Sequence, residues 1–261
     1  VKTFIINLAW STGRRKAMTS KLKKLKLDYE FVSAVDGHSL TPADIAPFWD
    51  ENRTYFRPLK PGEIGCFLSH YHTLGEIVKR KLSHALILED DIELSPNLPQ
   101  LLEKLQATIQ DGEVYSLYVS MPYPTQFTTV EKVGDYHIVK PSADNLILGA
   151  VAYLITYSAA KKMHENLIPI RNVIDDWGWF KSQGFISDFK IVFPHPIDLT
   201  DGYSDIHEKD GSFLLKLKKK MFYNNFPIFA SWIKHRRRKL RWATRRETIL
   251  LDGETPKKIF Q

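Results

Sequence analysis

The stretch "ALILEDDIEL", Ala85–Leu94, constrains the fold more than any other in the chain. Four residues suited to a strand buried on both faces run directly into three consecutive carboxylates, Glu89, Asp90 and Asp91. An unbroken apolar run of this kind suits a parallel sheet covered by helices on both sides. Carboxylates are almost never fully buried without partners, and like charges this close repel. The strand must therefore end where its acids meet water, a cation or a basic side chain. In open α/β sheets that place is the crevice beyond the carboxyl ends of the strands, where ligands bind.

The rest of the chain alternates in the same sense. Residues 3–8, 29–35, 84–90, 114–120, 147–156 and 189–193 read as strands. Residues 12–27, 62–79, 96–109, 158–167 and 173–183 read as helices, with Ser158 as a candidate N-cap. Segment 62–79 is the clearest: Ile64, Phe67, Leu68, Tyr71, Leu74 and Val78 recur at three- and four-residue intervals, and Glu63, Cys66 and His70 fall along one flank of that stripe. This alternation predicts an α/β sandwich with a mostly parallel central sheet.

Charge divides the chain in two. Residues 216–246 hold twelve of the 37 Lys and Arg and none of the 30 Asp and Glu, leaving the remainder mildly acidic. A nucleic-acid binder spreads basic charge over its folded face, so none is expected as a partner. We divide the chain into an α/β domain, 1–211, and a basic amphipathic helical region, 212–261. In the latter, Lys and Arg interleave with Phe, Leu, Ile and Trp, a pattern suited to a helix lying on an anionic bilayer. The start "VKTFIINL" reads as a strand entry rather than a signal peptide. The longest uncharged segment, Asn145–Ala160, has 16 residues, short of the about 20 a membrane span needs. The single cysteine, Cys66, excludes an intramolecular disulfide and suits a reducing compartment.

A strand ending in Glu-Asp-Asp has two readings: a solvated strand end, or carboxylates that hold a hard divalent cation against phosphate oxygens. Asn7 ends the first strand, and Arg14 and Arg15 open the first helix, where guanidinium groups and a helix N-terminus both favour phosphate. No zinc-type spacing is present, and Cys66 with scattered histidines does not make one.

"INL…RR", "VSAVDG", "GEIGCFLSHYHTL", "ALILEDDIEL" and "LGAVAYLITYSAAKKM", in this order, resemble glycosyltransferase family 25 over roughly residues 2–206. The resemblance implies a GT-A-like nucleotide-diphosphosugar transferase fold. It implies inverting transfer of galactose or glucose from a UDP-sugar, with Mn²⁺ or Mg²⁺, to a lipooligosaccharide or lipopolysaccharide core acceptor. Glu-Asp-Asp then takes the place of a D-x-D motif, with Asp91 as metal ligand and Glu89 and Asp90 on the substrate. Asn7, Arg14 and Arg15 would lie near the nucleotide, and Ser69 and His70 would face the donor pocket. The family's single Asp before a later helix is here a pair, Asp175 and Asp176; aligning the aromatics that follow favours Asp176 as general base, with Asp175 next. The loop "PHPIDLTDGYSD" departs from the pattern, so His195, Asp198 and Asp201 receive no role. A glycolipid acceptor and the basic region together imply a peripheral enzyme on the cytoplasmic face of the inner membrane. The same acids would also serve a nucleotide-sugar phosphohydrolase, or be structural in a non-enzymatic glycan- or nucleic-acid-binding module.

Overall fold

The apolar run that ends in carboxylates lies inside a large sheet. The computed structural model describes residues 1–50, 58–119, 126–141, 148–200, 247–252 and 255–260. In chain order the first elements are β1 (Lys2–Asn7), α1 (Thr12–Lys24), β2 (Tyr29–Ser33), a short α2 (Pro42–Ile45) and α3 (Pro61–Lys79). Then come β3 (His84–Glu89), β4 (Ile92–Leu94), α4 (Leu98–Thr108), β5 (Glu113–Ser116), β6 (Gln126–Val133) and β7 (Tyr136–Pro141). The last are β8 (Ala152–Thr156), α5 (Tyr157–Asn166), α6 (Trp177–Ser182), β9 (Asp188–Phe193), β10 (Ile197–Leu199), β11 (Glu247–Asp252) and β12 (Thr255–Phe260).

The main sheet has the order β12-β11-β6-β7-β9-β5-β8-β3-β1-β2, and β4 pairs with β10 in a separate two-stranded ribbon. β2, β1 and β3 are mutually parallel, with Ile6 opposite Glu89 and Asn7 opposite Ser33, so three carboxyl ends emerge side by side. β8 runs antiparallel to β3, and the sheet beyond it is mixed.

Alternation along each strand divides the core between the two faces of the sheet. Phe4, Ile6, Ala85 and Ile87 pack with Phe67, Leu74 and Ile77 of α3, Met163 of α5 and Trp177 of α6. Ile5, Leu86 and Leu88 pack on the other face with Met18 and Leu22 of α1 and Leu98, Leu101 and Leu105 of α4. Both faces are covered, which explains why β3 carries no polar residue between Ala85 and Leu88. Trp177 is fully buried, stacks on Phe189 and donates from Nε1 to the Gly149 carbonyl at 2.9 Å.

The contact between the loop after β2 and α3 sets the width of the crevice. A Cβ on Gly37 would lie 1.7 Å from the Pro61 carbonyl oxygen, and one on Gly65 would lie 2.5 Å from the Val35 oxygen and the Gly37 nitrogen. Ser69 Oγ seals the contact by accepting from Val35 N–H at 2.8 Å while donating to the Gly65 carbonyl at 2.6 Å.

Two features differ from the sequence expectation. The β6–β7 hairpin is absent from that expectation; "FTTVEKVGDYHIV" carries β-branched residues around Gly134, whose φ is 62°, but no strict apolar alternation. The expectation of helix through 212–261 is corrected at its end. Residues 247–252 and 255–260 are antiparallel strands, and β11 joins the main sheet beside β6. Thr248 and Ile249 are β-branched and Pro256 cannot sit in a helix interior, so local preference already leans away from helix there. Residues 212–246, including the basic run, lie outside the described residues, as does Asp201. Among the described residues no helix is long and apolar enough to cross a membrane.

Helix propensity alone predicts that Gly65→Ala stabilises α3 by about 1 kcal/mol. The close approach predicts the opposite sign, because backbone atoms rather than flexible side chains occupy the space. Urea denaturation of Gly65→Ala is expected to show a lower midpoint than the parent; a higher midpoint would refute the contact.

Candidate active site

The ends of β2, β1 and β3 line one side of a cleft, and the first turns of α1 and α3 line the other. It encloses about 650 Å³ open to solvent and is lined by Ile6 and Leu8, by the loop from Ala34 to His38, and by Arg14, Gly62, Cys66, Ser69, Glu89, Asp90 and Asp91. This is the crevice expected from the strand order.

The three carboxylates do different work. Asp90 is buried, accepting from Asn7 Nδ2 at 2.6 Å and from an Arg14 guanidinium nitrogen at 3.1 Å. Burial still pushes its carboxyl above the usual range, against the pull of Arg14 and Asn7. Asp91 lies farther from Arg14, at 3.6 Å through Oδ2, and its buried Oδ1 has no hydrogen-bond partner among the described residues. Burial, reinforced by the charge of Glu89 and opposed by Arg14, pushes Asp91 up to about 7. The Asp91 carbonyl is held twice by Thr200, whose N–H and hydroxyl donate at 2.8 and 2.9 Å. Glu89 faces α3, with Cys66 Sγ 3.7 Å and His70 Nε2 3.5 Å from Oε1.

The remaining expected residues separate. Arg14 is at the cleft, whereas Arg15 turns away and sits 4.0 Å over the Phe31 ring. Asn7 meets Asp90 beneath the cleft. Ser69 lines the cleft with a hydroxyl engaged on backbone, and His70 is fully buried, its Nδ1 2.9 Å from the Tyr153 hydroxyl. Asp176 is the N-cap of α6: Oδ1 accepts from Trp179 N–H at 3.0 Å and Oδ2 from Asn172 at 2.9 Å. Asp175 is half-buried; burial first, then the charges of Glu89 and Asp176, push it up to about 6.

Sequence reasoning assigns no role to Gly37, Gly65, Asp36, Thr200 or Cys66. Asp36 lines the cleft and accepts from His38 N–H at 2.9 Å. Its signal is present in "VDG", which reads only as a turn. Thr200 carries no signal, because the β4–β10 pairing that delivers it is a tertiary event.

A family model described as "Glycosyltransferase family 25 (LPS biosynthesis protein)" matches residues 1–177. The chain belongs to glycosyltransferase family 25. The Bos taurus protein named "Probable inactive glycosyltransferase 25 family member 3" is 30% identical over 173 residues, covering 62% of this chain and 28% of that one. The Xenopus laevis "Procollagen galactosyltransferase 1-A" is 31% identical over 173 residues, again 62% and 28%. The match thus spans less than a third of the length of these curated relatives. Among solved structures, a mannose-1-phosphate geranyltransferase from Thermus thermophilus aligns over 76% of this chain and 75% of that one, with 10% identity and a TM-score of 0.38. The family 25 chain is an α/β protein with a large mixed sheet and a cleft at the parallel carboxyl ends of β2, β1 and β3.

The cleft also dictates a pH dependence. Asp91 ordinarily titrates near 3.8 but here near 7, so between those values the folded protein holds a proton that the unfolded chain lacks. Stability contributed by this group is full at low pH and falls as pH rises through that window. In chelator-treated protein at pH 8, Asp91→Asn is expected to raise Tm and flatten the pH dependence between pH 4 and 7. A lower Tm with unchanged pH dependence would contradict this.

Proposed function

We propose that this family 25 chain is an inverting hexosyltransferase, moving galactose or glucose from a UDP-sugar to a hydroxyl of a lipooligosaccharide or lipopolysaccharide core. One observation carries the reading. The middle acid of "EDD" is tied down by Asn7 and Arg14, while Asp91, which lines the cleft, keeps a buried carboxylate oxygen with no hydrogen-bond partner among the described residues. An uncompensated carboxylate oxygen beside a second acid suits a divalent cation. Asp91 would hold Mn²⁺ or Mg²⁺, which when bound would neutralise charge on the diphosphate leaving group. The galactose expectation draws on the relatives named procollagen galactosyltransferases, and the acceptor on the family description.

This chain's own groups serve the rest of the reaction. The loop from Ala34 to His38, at the end of the strand beside β1, is suited to receive the nucleoside, with Asp36 available to a ribose hydroxyl. Arg14 adds positive charge at the diphosphate end. The acceptor oxygen forms its bond to the anomeric carbon as the bond to the diphosphate breaks, and its proton passes to a carboxylate. Asp175 takes this role in place of Asp176. Its carboxyl titrates near 6, close to the optimum for a general base at neutral pH, whereas both oxygens of Asp176 are engaged in capping α6. The basic segment 216–246 would hold the cleft against an anionic bilayer, at about 1 kcal/mol for each basic group near the surface. On this reading the enzyme works on the cytoplasmic face of the inner membrane.

Calorimetry with UDP and turnover of UDP-galactose and UDP-glucose on a glycolipid acceptor test this reading. UDP affinity is expected to rise at least tenfold with Mn²⁺, and Asp91→Ala to abolish that gain. Asp175→Asn is expected to lower kcat by about 10²–10⁴ with UDP binding intact. Asp176→Asn is expected to cost about 1 kcal/mol of stability while turnover persists. UDP-sugar hydrolysis indifferent to acceptor, or UDP binding indifferent to both Mn²⁺ and Asp91, would overturn the assignment.

A further inference from the structure

Glu89 also belongs to a donor set of different chemistry. Cys66 and His70 are four residues apart on α3 and therefore share one face, and β3 brings Glu89 opposite that face. Cys66 Sγ, His70 Nε2 and a Glu89 carboxylate oxygen all lie within 4.8 Å of one another. Glu89 Oε1 is 3.7 Å from the sulfur and 3.5 Å from the nitrogen, too far for a strong hydrogen bond to the imidazole. These two gaps lie close to those of another geometry. Metal–sulfur and metal–nitrogen or –oxygen bonds of about 2.3 and 2.0–2.1 Å at a tetrahedral angle separate the ligand atoms by about 3.3–3.6 Å.

The imidazole supplies an independent observation. His70 is fully buried, and its Nε2 points at Glu89 without a hydrogen-bond partner among the described residues. A buried polar nitrogen left without a partner is destabilising, and a bound ion would satisfy it. Its other nitrogen is oriented by the Tyr153 hydroxyl, whose ring packs edge-on against Trp177. An outer hydrogen bond of this kind fixes a metal-ligating imidazole. Cys66 and Glu89 both line the cleft, so an ion can enter from it.

We infer that Cys66, His70 and Glu89 form a binding site for one thiophilic divalent cation of the zinc class, with its fourth position open to the cleft. Thiolate, imidazole and carboxylate together select Zn²⁺ or Co²⁺ over Mg²⁺ or Mn²⁺. Three protein ligands with one open position mark an accessible rather than a closed structural site. The site is chemically separate from the hard-ion role given to Asp91, and it stands whether or not the chain transfers sugar.

Co²⁺ titration of the full 261-residue chain in thiol-free buffer tests it. Because Cys66 is the sole cysteine, a thiolate-to-cobalt charge-transfer band reports this site alone. One Co²⁺ per chain with that band and intense tetrahedral d–d absorption is expected. Cys66→Ser is expected to abolish the band, His70→Gln to weaken binding at least tenfold, and Asp91→Asn to leave the band in place. No thiolate band at saturating Co²⁺, or a band lost in Asp91→Asn, overturns the inference. Should His70→Gln fail to fold, X-ray absorption of the Zn²⁺-loaded parent decides. One sulfur at about 2.3 Å with nitrogen or oxygen at about 2.0–2.1 Å supports the site, and an all-nitrogen/oxygen shell refutes it.

Discussion

The buried contact of Asp90 with Asn7 and Arg14 organises the cleft. Three acids in a row do not all face one place here, because β3 ends at Glu89 and the backbone bends at Asp90 and Asp91. The middle one turns under β1 and α1, where a guanidinium and an amide meet it at 3.1 and 2.6 Å. Burial still raises its carboxyl above the ordinary range, so the partners only partly offset the loss of water. Such a pair is weak evidence for net stability, but removing one partner leaves an uncompensated buried charge. Its effect here is geometric. With Asp90 fastened below, Glu89 is left facing α3 and Asp91 the cleft, and Thr200 holds the Asp91 backbone from the opposite side.

The groups around this contact share an electrostatic character. Asp91 and Asp175 are both raised, first by burial and then by neighbouring negative charge, with Glu89 acting on each. Burial and the same acids hold the Cys66 thiol well above its ordinary range. Clusters of titratable groups that perturb one another in a cleft are characteristic of functional sites. One bound cation near Glu89 and Asp91 relieves several of these repulsions together. That gives the site a physical preference for positive charge before any substrate is considered.

Much of this is legible in the sequence because the controlling features are local. The unbroken run Ala85–Leu88 announces a strand covered on both faces, and the helical period of 62–79 announces α3. The parallel carboxyl ends follow from the alternation of elements. What escapes depends on distant segments meeting. Cys66 and His70 are visible as neighbours on a helix flank, but their meeting with Glu89 needs the packing of α3 against β3. Alignment of the aromatics that follow ranks Asp176 above Asp175; the cap hydrogen bonds that occupy Asp176, invisible in the sequence, are what lead us to propose the reverse order. Gly37 and Gly65 read as ordinary turn and helix glycines until the approach of the two backbones gives them a steric reason. The β6–β7 hairpin escapes because its alternation is weak, and the strands at 247–260 because the basic character of the preceding segment dominates the reading.

The central claim is that Asp91, and not Asp90, is the acid left available to a cation at the end of β3. Anomalous diffraction from crystals of the full chain grown with MnCl₂ and UDP tests it most directly. The account predicts a manganese peak within coordination distance of Asp91 and in contact with the diphosphate, with Asp90 still bound to Asn7 and Arg14. A peak on Asp90 with the Arg14 contact broken, or one remote from this strand end, would contradict it.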